Sequence, residues 1–187
     1  MLIIDNFLEQ DVFEQMKNEI CGNNFPWHYA STKSGPKTGE KSEDLHNHQM
    51  YHILHGFDHM IHKSHAVNLK LIWPIFLIIQ PLSILRVKVN RQFPTDYIYE
   101  SDMHTDNMAP KEVPVMTGVL YMNTNNGYTK FKSGEKVYSY ENRVLIFDGH
   151  TEHCGSTCTD NKERVVINFN YIAGHKTPKL ENNIVHD

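Results

Sequence analysis

From about residue 84 the chain breaks into short alternating runs separated by turns, and this pattern constrains the fold more than any other feature. Across residues 84–90, Leu85, Val87 and Val89 fall on one side, and Arg86, Lys88 and Asn90 on the other. Residues 114–123 read as a second strand ending in Asn123-Thr124-Asn125-Asn126-Gly127, a strong turn signal. Strands at 128–131 and 136–140 flank the turn at Ser133-Gly134, and strands at 143–148 and 164–171 follow. Short strands at this density predict a sandwich or jelly roll rather than a parallel sheet.

Before residue 84 the spacing is mostly helical. Phe13, Met16 and Ile20 form one stripe of a helix expected over 8–20, with Asp5-Asn6 as its cap and Gly22 as its stop. Residues 25–29 read as a short strand, and the small, polar and charged residues of 31–44 as an exposed loop. Helical spacing returns over 49–65. There His48, His52, His55, His59 and His62 would form one stripe, either a partly buried polar face or a second metal site. The apolar stretch 69–79, interrupted by Lys70 and Pro74, reads as core. The expected organisation is one domain, mainly α+β with β dominant. A helical support region spans 1–83, a β core 84–172 and a tail 173–187.

Composition narrows the partners. A net charge of −4 argues against a nucleic-acid coat or an anionic-membrane binder. No segment reaches the ~18–20 apolar residues of a membrane span. The first ten residues lack the basic n-region of a secretory signal. Three cysteines, Cys21, Cys154 and Cys158, cannot all pair. The expectation is a cytoplasmic protein with no membrane or nucleic-acid partner.

Chemistry enters with His104-Thr105-Asp106. On extended backbone, residues two apart point to the same side, so this imidazole and carboxylate can reach one ion. A third ligand from a distant strand would leave three positions open, which suits iron(II) that must also bind a co-substrate and O₂. His150 and His153 both follow the strand ending at Asp148; being three apart, only one can face a cavity directly. Further on, Arg164 shares a strand face with Val166, Asn168 and Asn170. An arginine turned into a barrel needs an anionic partner, because an unpaired buried cation is costly. A dicarboxylate such as 2-oxoglutarate supplies one through a bidentate contact.

Histidine-x-aspartate, then histidine, then arginine, spread over residues 84–172, resembles the 2-oxoglutarate/Fe(II)-dependent dioxygenase superfamily. The likeness is greatest to its small prolyl-hydroxylase-like members of phage and bacterial type. The resemblance implies a double-stranded β-helix (jelly roll) with flanking N-terminal helices. It also implies Fe(II), 2-oxoglutarate and O₂ as cofactors, with ascorbate in support. The implied reaction hydroxylates a C–H of a protein side chain or small molecule and releases succinate and CO₂. The ligands it implies are His104, Asp106 and His153. His153 is favoured because it lies eleven residues before Arg164 and opens His153-Cys154-Gly155, similar to the family's His-x-Gly. Arg164 would bind the distal carboxylate, assisted by Tyr121 of Tyr121-Met122-Asn123, which is similar to the family's Tyr-Leu-Asn. Asn90, opening Asn90-Arg91-Gln92-Phe93-Pro94, is similar to the co-substrate asparagine of the DNA-repair dealkylases, although Gln92 stands where they carry tyrosine. Asn168, on the face of Arg164, joins the co-substrate group.

Tyr97 and Tyr99 lie where the family's substrate-covering loop sits, and with Arg91 and His150 they are candidates for substrate contact. Two other readings use the same residues. One is a cupin-like protein with this barrel and no 2-oxoglutarate. The other is an interaction module stabilised by zinc on His150, His153, Cys154 and Cys158. The prime substrate and the oligomeric state are not legible in the sequence.

Overall fold

The structure, a computed structural model, describes residues 1–31, 33, 45–56, 69–106 and 110–174. Its strands are β1 (Leu2–Ile4), β2 (His28–Ala30), β3 (Gln49–Gly56), β4 (Ser83–Gln92), β5 (Val115–Tyr121), β6 (Tyr128–Phe131), β7 (Lys136–Tyr138), β8 (Arg143–Asp148), β9 (His153–Gly155) and β10 (Arg164–Ile172). Two helices accompany them, α1 (Gln10–Ile20) and α2 (Leu69–Ile79). A seven-stranded sheet in the order β1-β8-β5-β10-β4-β3-β2 faces a three-stranded sheet, β7-β6-β9, and every pairing is antiparallel. Two facing antiparallel sheets of this kind make the expected jelly roll.

The alternation read from the sequence decides what lies on each side of the large sheet. On β10, Val165, Ile167, Phe169 and Tyr171 turn outward with Val87 and Val89 of β4, packing against Phe13, Met16 and Ile20 of α1 and Ile72, Ile75, Phe76 and Ile79 of α2. Full burial of each large side chain is worth about 1.5–3 kcal/mol, so this layer fixes the sheet against the helices. The opposite face begins with a smaller apolar cluster, Val119, Tyr121, Phe131, Val137, Leu145, Phe147 and Val166, between the two sheets. Beyond it the inward positions of β4 and β10 are polar: Arg86, Lys88, Asn90 and Gln92 beside Arg164, Asn168 and Asn170. A polar row inside a barrel marks a site rather than a core.

Several expectations are corrected. Residues 49–56 form strand β3, not a helix, because β4 has an open hydrogen-bonding edge and β3 pairs along it, with a register shift between Ile53 and His55. Tertiary pairing overrides the helical spacing. The histidines therefore form no helical stripe: His52 is buried with Nδ1 2.7 Å from the Pro26 carbonyl, and His55 reaches the Ile84 carbonyl. His59 and His62 lie outside the described residues. The described residues of the expected support region 1–83 hold both helices together with β1, β2 and β3. Helix α1 starts at Gln10 with no side-chain cap from Asp5 or Asn6. Instead, Asn142 holds the entry, accepting from the Leu8 N–H at 3.0 Å and donating to its carbonyl at 2.8 Å. The apolar 69–79 stretch is only half core, since Trp73, Leu77 and Ile78 are exposed. The expected 31–44 loop, apart from residues 31 and 33, and the tail beyond residue 174 lie outside the described residues. No helix among the described residues is long and apolar enough to cross a membrane.

Candidate metal and co-substrate site

His104 and His153 meet across a single antiparallel bridge, and Asp106 continues the same edge with its N–H bonded to the Gly149 carbonyl at 3.0 Å. Both His104 and Asp106 therefore point toward His153. Their ligand atoms, one from each of His104, Asp106 and His153, lie within 4.8 Å of one another. Among the described residues this is the group that can hold a metal ion; Cys154 and Cys158 do not join it. Asp106 Oδ2 stands 3.8 Å from His153 Nε2, too far for a hydrogen bond and suitable for two atoms sharing an ion.

The surroundings set each ligand in its binding form. Nδ1 of His104 lies 3.0 Å from the Asp102 carbonyl, and Nδ1 of His153 lies 2.9 Å from the Thr151 carbonyl. A carbonyl only accepts, so each Nδ1 carries a proton, which leaves Nε2 as the nitrogen that ligates a metal. The edge of Phe147 against the His153 ring, centroids 4.7 Å apart, fixes that ring's plane. Burial pushes the His153 pKa down, more than Asp106 raises it, which keeps the imidazole neutral. Burial alone would raise Asp106. The Arg86 guanidinium above all, together with the Asn170 hydrogen bond, outweighs it and holds the carboxyl below its ordinary value. Arg86 Nη2 donates to Oδ1 at 3.1 Å, while Thr117 Oγ1 and Asn170 Nδ2 donate to Oδ2 at 3.0 Å each. Two imidazoles and an ionised carboxylate on one side, with space opposite, are a donor set that fits a divalent first-row metal.

Arg164 lies in the same cavity, which has a volume of about 420 Å³. It is 3% exposed and forms no ion pair among the described residues. Its Nε donates to Ser139 Oγ at 2.8 Å, Nη1 to Gln92 Oε1 at 3.2 Å and Nη2 to Thr129 Oγ1 at 3.5 Å. Of a guanidinium's five N–H donors two are left over. Thr129 Oγ1 also accepts from the Tyr121 hydroxyl at 2.9 Å, so its own O–H is directed elsewhere. Gly155 has no side chain to cover the guanidinium, and a Cβ there would stand 3.6 Å from Nη1. Nearby, Asn90 Oδ1 and Asn168 Oδ1 are buried without a hydrogen-bond partner. A half-turn of either amide would present its N–H₂ instead. A buried cation with spare donors, beside unsatisfied amides, fits a small dianion.

Of the residues singled out in the sequence, the structure brings together His104, Asp106, His153, Arg164, Asn90 and Asn168. Tyr121 is fully buried behind Thr129, with its ring 5.6 Å from the Arg164 guanidinium carbon; Thr129 lines the cavity and Tyr121 does not. Arg91 faces away, paired with Glu163 and lying over Trp27. His150 folds back on Asp148 and, with Tyr97 and Tyr99, stands outside the cavity lining. Sequence reasoning missed the residues that orient the ligands: Thr117 and Asn170 at Asp106, and Gln92, Thr129 and Ser139 at Arg164. Parity offered a signal for some, since Asn170 shares the face of Arg164, and Gln92 that of Arg86.

Solved structures with this fold include the prolyl hydroxylase of Trichoplax adhaerens in complex with a hypoxia-inducible-factor oxygen-degradation-domain peptide (TM-score 0.59, 12% identity, 91% of this chain and 82% of that one). The α-ketoglutarate-dependent non-haem epimerase SnoN of nogalamycin biosynthesis matches at TM-score 0.59 and 10% identity, over 92% of this chain and 76% of that one. A viral collagen prolyl hydroxylase from Paramecium bursaria Chlorella virus-1, bound to 2-oxoglutarate, matches at 0.53 and 16%, over 92% and 96%. The chain thus has the double-stranded β-helix fold of the 2-oxoglutarate-dependent oxygenases. No family model matches the sequence, and no curated protein matches it.

Proposed function

We propose that this protein is a 2-oxoglutarate- and Fe(II)-dependent dioxygenase that oxidises a C–H of a substrate. The observation that carries the reading is Arg164. A fully buried guanidinium with spare donors opens into the same cavity as a His-Asp-His triad, and a metal site alone would not require it. His104, Asp106 and His153 would hold the iron on one side. Arg164 and the Thr129 hydroxyl would bind the distal carboxylate, with Asn90 and Asn168 beside it. Iron(II) and 2-oxoglutarate together supply the oxidising chemistry, in which O₂ is consumed and the co-substrate leaves as succinate and CO₂. The protein's own residues do the placing. Thr117, Asn170 and Arg86 hold the Asp106 carboxylate in one orientation. The backbone carbonyls of Asp102 and Thr151 keep both imidazoles in the ligating tautomer. The apolar wall of Val119 and Val166 limits water beside the reacting groups.

The test is turnover. With Fe(II), ascorbate and O₂, the protein is expected to convert 2-oxoglutarate slowly to succinate even without its prime substrate, and His104→Ala is expected to abolish this. Absence of turnover together with absence of 2-oxoglutarate binding by the metal-loaded protein would overturn the proposal.

A further inference from the structure

The Asp106 carboxylate has more support than its orientation requires, and one part of that support carries a charge of the wrong sign for a metal site. Thr117 Oγ1 and Asn170 Nδ2 each donate to Oδ2 at 3.0 Å, and a 2.9 Å bond from Asn170 to Thr117 ties the two donors together. Two neutral donors on one oxygen are enough to set the direction of a ligating carboxylate. Oδ1 is nevertheless held by a cation, with Arg86 Nη2 at 3.1 Å. Arg86 has little freedom to leave. It stands opposite Asn170 of β10 and Gly56 of β3, and its Nε donates to Asn170 Oδ1 at 3.1 Å. Asp106 is only 6% exposed, and charges in such a setting are weakly screened. A guanidinium beside a ligand repels any metal ion on that ligand, which lowers affinity. The repulsion grows in proportion to the ion's charge, so a trivalent ion is penalised more than a divalent one. Orientation alone does not call for that cost; discrimination between the two charges does.

We propose, resting on the metal-site part of the dioxygenase reading, that Arg86 is a positioning residue acting through Asp106, whose charge makes the triad favour a divalent over a trivalent ion. For iron this favours the reduced ion, which is the one the proposed reaction uses. Oxidation of iron(II) releases one electron and leaves one more positive charge facing the guanidinium. That extra charge raises the free energy of the oxidised site and hence its reduction potential, one of the ways in which the surroundings of a metal tune it. The two arginines of the cavity thus serve different ends. The charge of Arg164 answers the co-substrate carboxylate, and that of Arg86 answers the charge of the metal.

The experiment uses the full chain loaded anaerobically with iron, without 2-oxoglutarate, so that no turnover occurs. Binding of Fe(II), and its loss in His153→Ala, are established first. The midpoint potential of the iron(III)/iron(II) couple is then read by spectroelectrochemistry, in which the electron released by iron passes to the electrode. Arg86→Gln keeps an N–H donor without the charge, Arg86→Met removes both, and Arg86→Lys keeps the charge. Loss of the charge is expected to raise the ferric-to-ferrous ratio at a fixed potential by about tenfold or more, a fall in midpoint of about 59 mV or more for a one-electron couple. Both uncharged variants are expected to show this, and Arg86→Lys to stay near the parent. A loosened site weakens both ions alike and leaves the ratio where it was, so a merely structural role does not mimic the result. Circular dichroism checks the fold of each variant, and either uncharged variant suffices. A parent that binds no iron, or binds it equally well in His153→Ala, sinks the metal-site reading and this proposal with it. Iron binding at the triad with the same ratio in the parent and the uncharged variants leaves Arg86 as no more than the counter-ion of Asp106 and overturns this proposal alone. An Arg86→Lys variant that matches Arg86→Gln does the same.

Discussion

His104 and His153 exchange both of their backbone hydrogen bonds, N–H to carbonyl at 2.9 Å in each direction, although they are 49 residues apart. That pair of bonds sets the two imidazoles 4.6 Å apart, centroid to centroid, on the same side of the bridge. It also explains why His150 is excluded, since residues 149–151 form the turn that brings the chain back to His104.

His153→Ala is expected to abolish tight metal binding, and His150→Ala to leave it within a few-fold of the parent. His150 is occupied with Asp148, 3.1 Å from its Nδ1. Metal content after equilibrium dialysis reads the difference directly, and the reverse pattern in the two variants would contradict the ligand assignment.

The carboxylate's supports give a graded outcome. Asn170 Nδ2 donates both to Asp106 Oδ2 and to Thr117 Oγ1, the latter at 2.9 Å, so the three side chains form one buried unit. Loss of such orienting partners typically costs about 10–100-fold in metal affinity. Asn170→Ala should fall in that range by competition with a chelating dye, with the fold retained by circular dichroism. Unchanged affinity would show that Asp106 needs no such support.

Much of this was legible in the sequence, for reasons tied to particular residues. Strict alternation on 164–171 gave both faces of β10, because a strand buried on both sides still separates Arg164 and Asn168 from Ile167 and Phe169. The local pair His104-Thr105-Asp106 was readable because ligands two apart share a side. Strand β3 was misread, since its histidine spacing resembles a helix and its partner, β4, is more than thirty residues further along. Thr129 was invisible as a cavity residue for the same reason. Its hydroxyl matters only because β6 crosses beneath Arg164, a contact that no local pattern encodes.

The two buried ligands give the metal-free protein a definite pH response. The pKa of His153 is lowered on folding, so the unfolded chain takes up a proton that the folded chain resists. Stability is then highest above the ordinary imidazole value of about 6.5 and declines as pH falls below it toward the lowered folded value. The Asp106 carboxyl is also lowered, so its contribution is present above the ordinary value of about 3.9 and is lost only in stronger acid. Between those limits His153→Gln should flatten the dependence of urea stability on pH in chelated protein. Superimposable pH profiles for parent and variant would refute the assignment.

Gly118 lies on β5 opposite Phe169, and a Cβ there would come within 2.1 Å of the Phe169 ring. The ring is fully buried against Phe76, at 5.9 Å between centroids, and has no free direction in which to move. Gly118→Ala should therefore destabilise by about 1–3 kcal/mol, the usual cost of overpacking. The urea midpoint measures it, and an unchanged midpoint would mean that the helix layer yields more easily than its packing indicates.

The central claim is that Arg164 exists to hold a dianion beside a metal, and anaerobic calorimetric titration of 2-oxoglutarate into the Fe(II)-loaded protein tests it most directly. The expected result is one 2-oxoglutarate per chain, binding that requires the metal, and its loss in Arg164→Met with iron retained. Removing one partner of a buried ion pair costs roughly 3–5 kcal/mol, enough to take the affinity out of the measurable range. No heat of 2-oxoglutarate binding to the iron-loaded parent, or equal affinity in Arg164→Met, would contradict the account.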